Sequence, residues 1–291
     1  MLVDKSIIAS ILGGIATVIA AIITLFKKDN KSKKIKINQH SKGDNNTIIG
    51  MQNNGLSIQD ACQIAKTLFE ENFPKLQEEA MKVAVARIDE LWEKIKSKIS
   101  LCNIQDYTAF STPDMQYILC ESQKEYARYG TKDKLEVLAE LIFKRINYDN
   151  DEYIKIVIDK ALLVINQLSE YQLNYLSAMF ICKQVKFSNI HNEQDLIKKI
   201  KIFADKLFFP HNISVSWLNS LGCFELHLGS ADKIISQAYG LDIETVKKML
   251  PDNFLHIHAD YGVSHVGVIL AITNIQAKVG YSFDPKTWVA P

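Results

Sequence analysis

The stretch "STPDMQYILCESQKEYARYGTKDKLEVLAELIFKRIN", residues 111–147, carries its own punctuation. Thr112 is a suitable N-cap, and Pro113 is tolerated in a first turn, where its missing N–H leaves no helical bond unmade. Gly130 is a natural terminator, and Thr131 opens a second helix over "TKDKLEVLAELIFKRIN". Two helices joined by almost no loop set the expectation for the rest of the chain.

Working outward, the same apolar periodicity recurs. Ser57 with Asp60 resembles a capping arrangement for a helix over residues 57–72, with Ile58, Ala61, Ala65, Leu68 and Phe69 on one face. Pro74 then opens a helix that runs to about Ser100, with Leu76, Ala80, Val83, Ile88, Leu91, Trp92, Ile95 and Ile99 as its stripe. That stripe suits either a stalk between subunits or core packing within one. Further segments cover residues 151–168, 170–184, 193–208, 231–239, 243–250 and 262–279. With almost no strand pattern and no fixed-period repeat, residues 56–291 read as an all-α cytoplasmic sensing and oligomerisation domain in a mainly α protein.

The N-terminal part reads differently. "SIIASILGGIATVIAAIITLF", residues 6–26, has no charge over 21 residues, which as a helix at ~1.5 Å per residue spans about 31 Å, the thickness of a bilayer core. Residues 1–28 are therefore expected to form a single transmembrane helix. The lysines at 27, 28, 31, 33, 34 and 36 flank only its C-terminal side, which places the N-terminus outside, the body in the cytoplasm and the lysines against anionic inner-membrane lipids. Ser6, Ala9, Ser10, Gly13, Ala16, Thr17, Ala20 and Thr24 share one side of this helix, where small and hydroxyl residues permit close helix packing or line a narrow pore. A pore requires a homo-oligomer.

Residues 29–55 form a basic linker that ends in strand-like sequence. "KIKINQH" alternates with period 2, "KGDNN" supplies turn residues, and "TIIGMQ" is a second short strand. An isolated hairpin is marginal in water, so its edges invite pairing with other subunits as a β-collar below the membrane.

Composition limits the partners. The chain has 291 residues, 47% of them apolar, and a net charge of +1. Seven Lys against Asp4 and Asp29 give +5 through Lys36, and 27 Lys and Arg against 31 acids give −4 thereafter. Any nucleic-acid site on the body must therefore be a local patch. The five cysteines, Cys62, Cys102, Cys120, Cys182 and Cys223, are odd in number and scattered, which signals neither a disulfide framework nor a zinc knuckle.

No phosphate loop, nucleophile elbow or HExxH motif is present, so no catalytic residue, enzyme activity or cofactor is expected. "LHIHADYGVSH" offers His256, His258, Asp260 and His265 as metal ligands for a tethered hydrolase, but it lacks the downstream ligands such sites use. Surface or interface histidines fit it better. Ligand-binding candidates come instead from cations interleaved with aromatics, where phosphates pair and bases stack. "QKEYARYGTKDK" supplies Lys124, Tyr126, Arg128, Lys132 and Lys134, with Lys144 and Arg145 following. "DLIKKIKIFADK" supplies Lys198, Lys199 and Lys201. An ordinary solvated helix face would present the same residues.

Four segments carry a resemblance: "GDNNTIIGMQNNGLSIQDACQIAKTLFEENFPKL", "EYARYGTKDKLEVLAELIFKRI", "QLNYLSAMF" and "VGVILAITNIQAKVGYSFDPKTWV". Together they resemble an uncharacterised bacterial family with one N-terminal span, an Asn-rich β segment and a helical body. With the span in front, the chain is similar to the transmembrane effectors of Hailong anti-phage defence systems. That resemblance implies a homo-oligomeric, tetrameric ion channel held shut by single-stranded DNA oligomers from a partner nucleotidyltransferase. Loss of the ligand during infection would then open it and arrest growth. No ligand-binding residue is carried over by motif. A membrane-tethered scaffold that docks a partner protein without a pore is the alternative.

Overall fold

The computed structural model describes residues 58–101, 110, 112–227 and 229–289. The expected span, the pore-side residues from Ser6 to Thr24, the juxtamembrane lysines and the β-collar lie outside the described residues. Among the described residues no helix is long and apolar enough to cross a membrane.

The described chain is mainly helical. Helix α1 (Ile58–Leu101) runs for 44 residues, about 66 Å at ~1.5 Å per residue. The expected break at Pro74 does not occur. An interior proline costs a helix about 3 kcal/mol, but the Leu-, Glu-, Lys- and Gln-rich turns on both sides favour helix and carry it through. From Ile88 onward α1 is a core helix, with Ile88, Leu91, Trp92, Ile95 and Ile99 buried, whereas Val83 is 50% exposed. One apolar stripe therefore serves two environments.

Helices α2 (Pro113–Tyr129) and α3 (Lys132–Asn147) start where the punctuation predicted, with Thr112 and Thr131 at the N-cap positions, though neither side chain closes a cap hydrogen bond. Gly130 ends α2 for a different reason from the one expected. Its φ of −61° is not left-handed, and a Cβ there would lie 2.4 Å from the Tyr126 carbonyl oxygen and 2.6 Å from its ring, so close approach demands the glycine. Helix α4 (Glu152–Val164) opens on the Asp151 cap and closes in a short 3-10 turn at Ile165–Gln167. Helix α5 (Glu170–Lys183) begins with a reciprocal capping box between Ser169 and Gln172. Helix α6 (Glu193–Ala204) stops four residues short of the expected end, and Phe208 beyond it is exposed.

Beyond α6, the short helix α7 (Val215–Ser220) precedes strand β1 (Phe224–Leu226). Helices α8 (Ala231–Tyr239), α9 (Ile243–Met249) and α10 (Asp252–Leu255) come next. Strand β2 (Tyr261–Val263) pairs antiparallel with β1 in the register Phe224↔Val263, Glu225↔Gly262, Leu226↔Tyr261. Helix α11 (His265–Val279) and the single turn α12 (Pro285–Trp288) complete the chain. The two-stranded sheet corrects the all-α expectation, and Gly262, assigned to the last helix, lies in β2. Three residues are too few for a period-2 pattern to register in sequence.

Helix α11 is the centre of the body. Every residue from Gly267 to Ile275 is buried, against α5, α4 and α3. A Cβ on Gly267 would meet the Cys223 carbonyl oxygen at 2.2 Å, so this glycine lets α11 rest against the residue that leads into β1. A polar seam crosses the α5–α11 contact: the Asn274 amide donates to Asn174 (3.1 Å) and Ser177 (2.9 Å), and the Asn174 amide donates to the Phe208 carbonyl (2.7 Å). Each large aliphatic buried around it contributes about 1.5–3 kcal/mol.

Candidate functional site

The structure divides the two cationic groups that look alike in sequence. In the first, Arg145 is fully buried, with Nε 2.6 Å from Asp159, Nη1 2.6 Å from Asp149 and Nη2 2.7 Å from Asp114. Three carboxylates are thus tied at one guanidinium fork, which uses its planar donor geometry to the full. The Thr112 hydroxyl, and then Lys155 and Arg145, hold the Asp114 carboxyl down at about 2. Burial pushes Asp159 up, against the pull of Arg145.

Tyr126 is also core, 1% exposed, and burial raises its phenol to about 12. Lys134 donates to the Asn166 carbonyl (3.1 Å), and desolvation lowers its ammonium. Lys124 pairs with Glu121 (2.8 Å). Arg128 pairs with Glu125 (3.3 Å) and lies over the Tyr129 ring (4.9 Å). Only Lys132 in this group is exposed with no partner among the described residues. As a surface for an outside ligand, residues 124–145 are thus largely occupied by the protein itself.

The second group is arranged otherwise. Helix α6 buries Leu196, Ile200 and Phe203 and turns Lys198 and Lys201 to solvent, with no hydrogen-bond or carboxylate partner for either among the described residues. Lys199 lies between them in sequence, its ammonium 5.5 Å from the Tyr281 ring centre and 6.0 Å from that of Phe187. Tyr281 is 39% exposed and leans on Phe203 (5.8 Å) and Phe283 (4.9 Å). Cations and an accessible aromatic ring therefore share one surface, held from beneath by a stacked Phe187–Phe203 pair (5.6 Å).

This surface adjoins a cleft of about 680 Å³. Phe283 lines its edge, and Lys144, Glu140, Tyr148, Gln276, Asp284 and Lys286 supply polar groups. Lys144 donates to the Gln276 side-chain oxygen (2.8 Å) and sits 3.5 Å from Glu140, and burial lowers its ammonium. The Tyr148 hydroxyl donates to Asp284 (2.9 Å), and Lys286 lies 5.9 Å from its ring centre. Glu140 also accepts from Lys98 of α1 (2.9 Å), so one cleft carboxylate is bonded directly to the long helix. Of the sequence-derived candidates only Lys144 lines this cleft. Tyr281, Tyr148, Gln276 and Lys286 were missed. The available signal was "VGYSFDPK", in which the left-handed Gly280 (φ 78°) and the Asp284 cap fold the tail back over α11.

The four metal-ligand candidates scatter. His258 faces Asp260 (3.7 Å) and the Tyr261 ring, and His265 Nδ1 lies 2.6 Å from the Tyr153 hydroxyl. His256 turns away from both toward Asp252 (3.8 Å) and His211, which sequence spacing gave no reason to connect. Lys183 crosses beneath this loop, donating to the carbonyls of His258, Ala259 and Tyr261, and burial lowers its ammonium to about 8. Cys182 and Cys223 are buried, with thiols raised by desolvation to about 12, which makes them inert packing residues.

No curated protein and no solved structure matches the chain. One protein-family model does, over residues 55–260, a span that takes in α1 and ends just before β2. That is more than half of the chain, which therefore belongs to the family this model defines, a family whose description names neither an activity nor a ligand.

Proposed function

We propose that the chain is a membrane-anchored, homo-oligomeric anti-phage effector of the Hailong type. In this reading its N-terminal helices form an ion channel, and its helical body binds single-stranded DNA or a related nucleotide ligand. The observation that carries the reading is the α6 surface: unpaired Lys198 and Lys201 beside Lys199 and the exposed Tyr281 ring. Lysines at that spacing pair with successive phosphates, and an accessible ring stacks a base whatever its identity. A mildly acidic body needs such a patch, and a symmetric tetramer repeats it around one axis.

The route from ligand to pore runs through the cleft. A phosphate that enters beside Lys144 competes with Glu140 for its ammonium, and Glu140 is bonded to Lys98 of α1. Helix α1 precedes the body's other helices in the chain and follows the uncharged run at residues 6–26. Ligand occupancy thereby biases the seating of α1, and the channel follows. Opening depolarises the inner membrane and stops growth.

The test pairs two measurements on the full chain. Anisotropy of a labelled single-stranded oligodeoxynucleotide should show salt-dependent binding that Lys198→Glu/Lys201→Glu weakens by at least about tenfold. Membrane potential in cells expressing that variant should differ from that with the parent chain: depolarised without infection if the ligand closes the channel, polarised throughout if the ligand opens it. Oligonucleotide binding indifferent to the charge reversal would remove the ligand reading.

A second reading, a tethered scaffold without a pore, rests on another surface. Tyr171, Phe208 and Trp217 are 46%, 64% and 45% exposed, and the first two pack edge to face (5.9 Å). Solvent-facing aromatics of this size suit docking of a partner protein. Replacement of residues 6–26 by an unrelated single span should preserve protection in that case and abolish it for a channel.

A further inference from the structure

We propose that His211, Asp252 and His256 bind one divalent transition-metal ion of the zinc class, as a site independent of the ligand surface above. The Nε2 atom of His211 lies 3.3 Å from one oxygen of Asp252, and Nε2 of His256 lies 3.8 Å from the other. One donor atom from each of the three residues lies within 4.8 Å of the others. Zinc held by nitrogen and oxygen at ~2.0–2.1 Å in a tetrahedron separates its ligands by about 3.4 Å. The His211–Asp252 spacing is close to that edge, and small rotations of the exposed Asp252 carboxylate and His256 ring bring the second nitrogen to the same ion.

The ligand positions are set by packing beneath them. Phe209 and Phe254 are buried and stacked, with ring centres 5.8 Å apart and planes 17° apart. His211 follows Phe209 by two residues, while Asp252 and His256 flank Phe254 by two on either side, Asp252 opening α10 and His256 closing it as the C-cap, four residues apart. The stack therefore fixes the distance between the two segments that carry the ligands. The imidazoles meet edge to face, ring centres 4.3 Å apart, and both direct Nε2 at one carboxylate. Two imidazole nitrogens and a carboxylate are a nitrogen-rich donor set, which favours zinc and its late first-row neighbours over magnesium or calcium. All three side chains are more than half exposed, so the ion enters from solution and keeps a water in its fourth position. Bound, it joins the segment after α6 to the loop that leads into β2.

The experiment uses the purified full chain, stripped of metal and titrated with Zn²⁺ against a chromophoric chelator, with Co²⁺ as a second probe for its visible absorption. One Zn²⁺ per chain is expected, with Co²⁺ bands of four-coordinate intensity. His211→Ala, Asp252→Asn and His256→Ala should each weaken binding by at least about tenfold, since loss of even supporting groups around metal ligands costs about 10–100-fold. His258→Ala should leave binding unchanged. Circular dichroism of each variant should match the parent, because the replaced side chains are exposed. No Zn²⁺ binding by the parent chain, or undiminished binding by His211→Ala/His256→Ala, overturns the site.

Discussion

Helices α3 and α6 both crowd cations into a short apolar sequence, "IFKRIN" in one and "LIKKIKIF" in the other, and the fold treats them in opposite ways. Helix α3 packs against α1, α4 and α11, so Arg145 is sealed from water and Lys144 meets it only at the cleft. Each is kept only because carboxylates surround it: Glu140 for the first, and Asp114, Asp149 and Asp159 for the second. Helix α6 lies at the periphery and buries one face alone, so Lys198 and Lys201 remain available. The lesson is that a cation's role follows from how many sides of its helix are covered, which local composition does not encode.

The sharpest way to break the comparison is Arg145→Met. It strands three carboxylates around a fully buried site, and loss of one partner from such a cluster costs roughly 3–5 kcal/mol. Urea denaturation of the variant should show that loss, and a shift within 1 kcal/mol would make Arg145 no more structural than the α6 lysines. The converse change, Lys198→Glu/Lys201→Glu, should leave stability within about 0.5 kcal/mol of the parent. Its effect belongs to binding: the tenfold loss proposed above, together with a salt slope smaller by about 1.4 if each lysine meets one phosphate of a single strand at ~0.7 per contact. An unfolded variant would instead place these lysines among the structural cations.

Acid should act on the first group before the second. The Asp114 carboxyl, held at about 2 against its ordinary 3.8, adds stability above pH 3.8 that disappears as pH falls to about 2. A thermal melting series from pH 5 to 2 should show a decline in that window, made shallower by Asp114→Asn. The smallest effect is expected for Lys132→Ala. Lys132 is exposed and unpaired but stands alone among internally paired neighbours, so oligonucleotide affinity should change less than about twofold, with stability within about 0.5 kcal/mol. A tenfold loss there would return α3 to the ligand surface.

Legibility in the sequence followed local chemistry. The starts at Thr112 and Thr131 were readable because residue preferences at a helix start are local to one turn, although neither threonine closes a side-chain cap bond. The caps that Ser169 and Asn192 do close went unread, and periodicity alone placed those two helices. Pro74 misled because its penalty competes with propensity summed over many turns, and the sum prevailed. Strands β1 and β2 were invisible because each is three residues long and their pairing joins segments far apart in sequence. The candidate site was half legible for the same reason. Lys198, Lys199 and Lys201 announce themselves on one helix, while Tyr281 reaches Lys199 only after the chain folds back past Gly280.

By itself the sequence determined the helical character of the body, most helix starts and the uncharged run at residues 6–26. These rest on interactions within one or two turns, on composition, or on the length of a single apolar segment. Only the tertiary structure decided which cations face solvent, which histidine meets His256, and that Gly130 and Gly267 are required by what presses against them. Those outcomes depend on desolvation and on close contact between segments distant in the chain, and both exist only once the layers have closed.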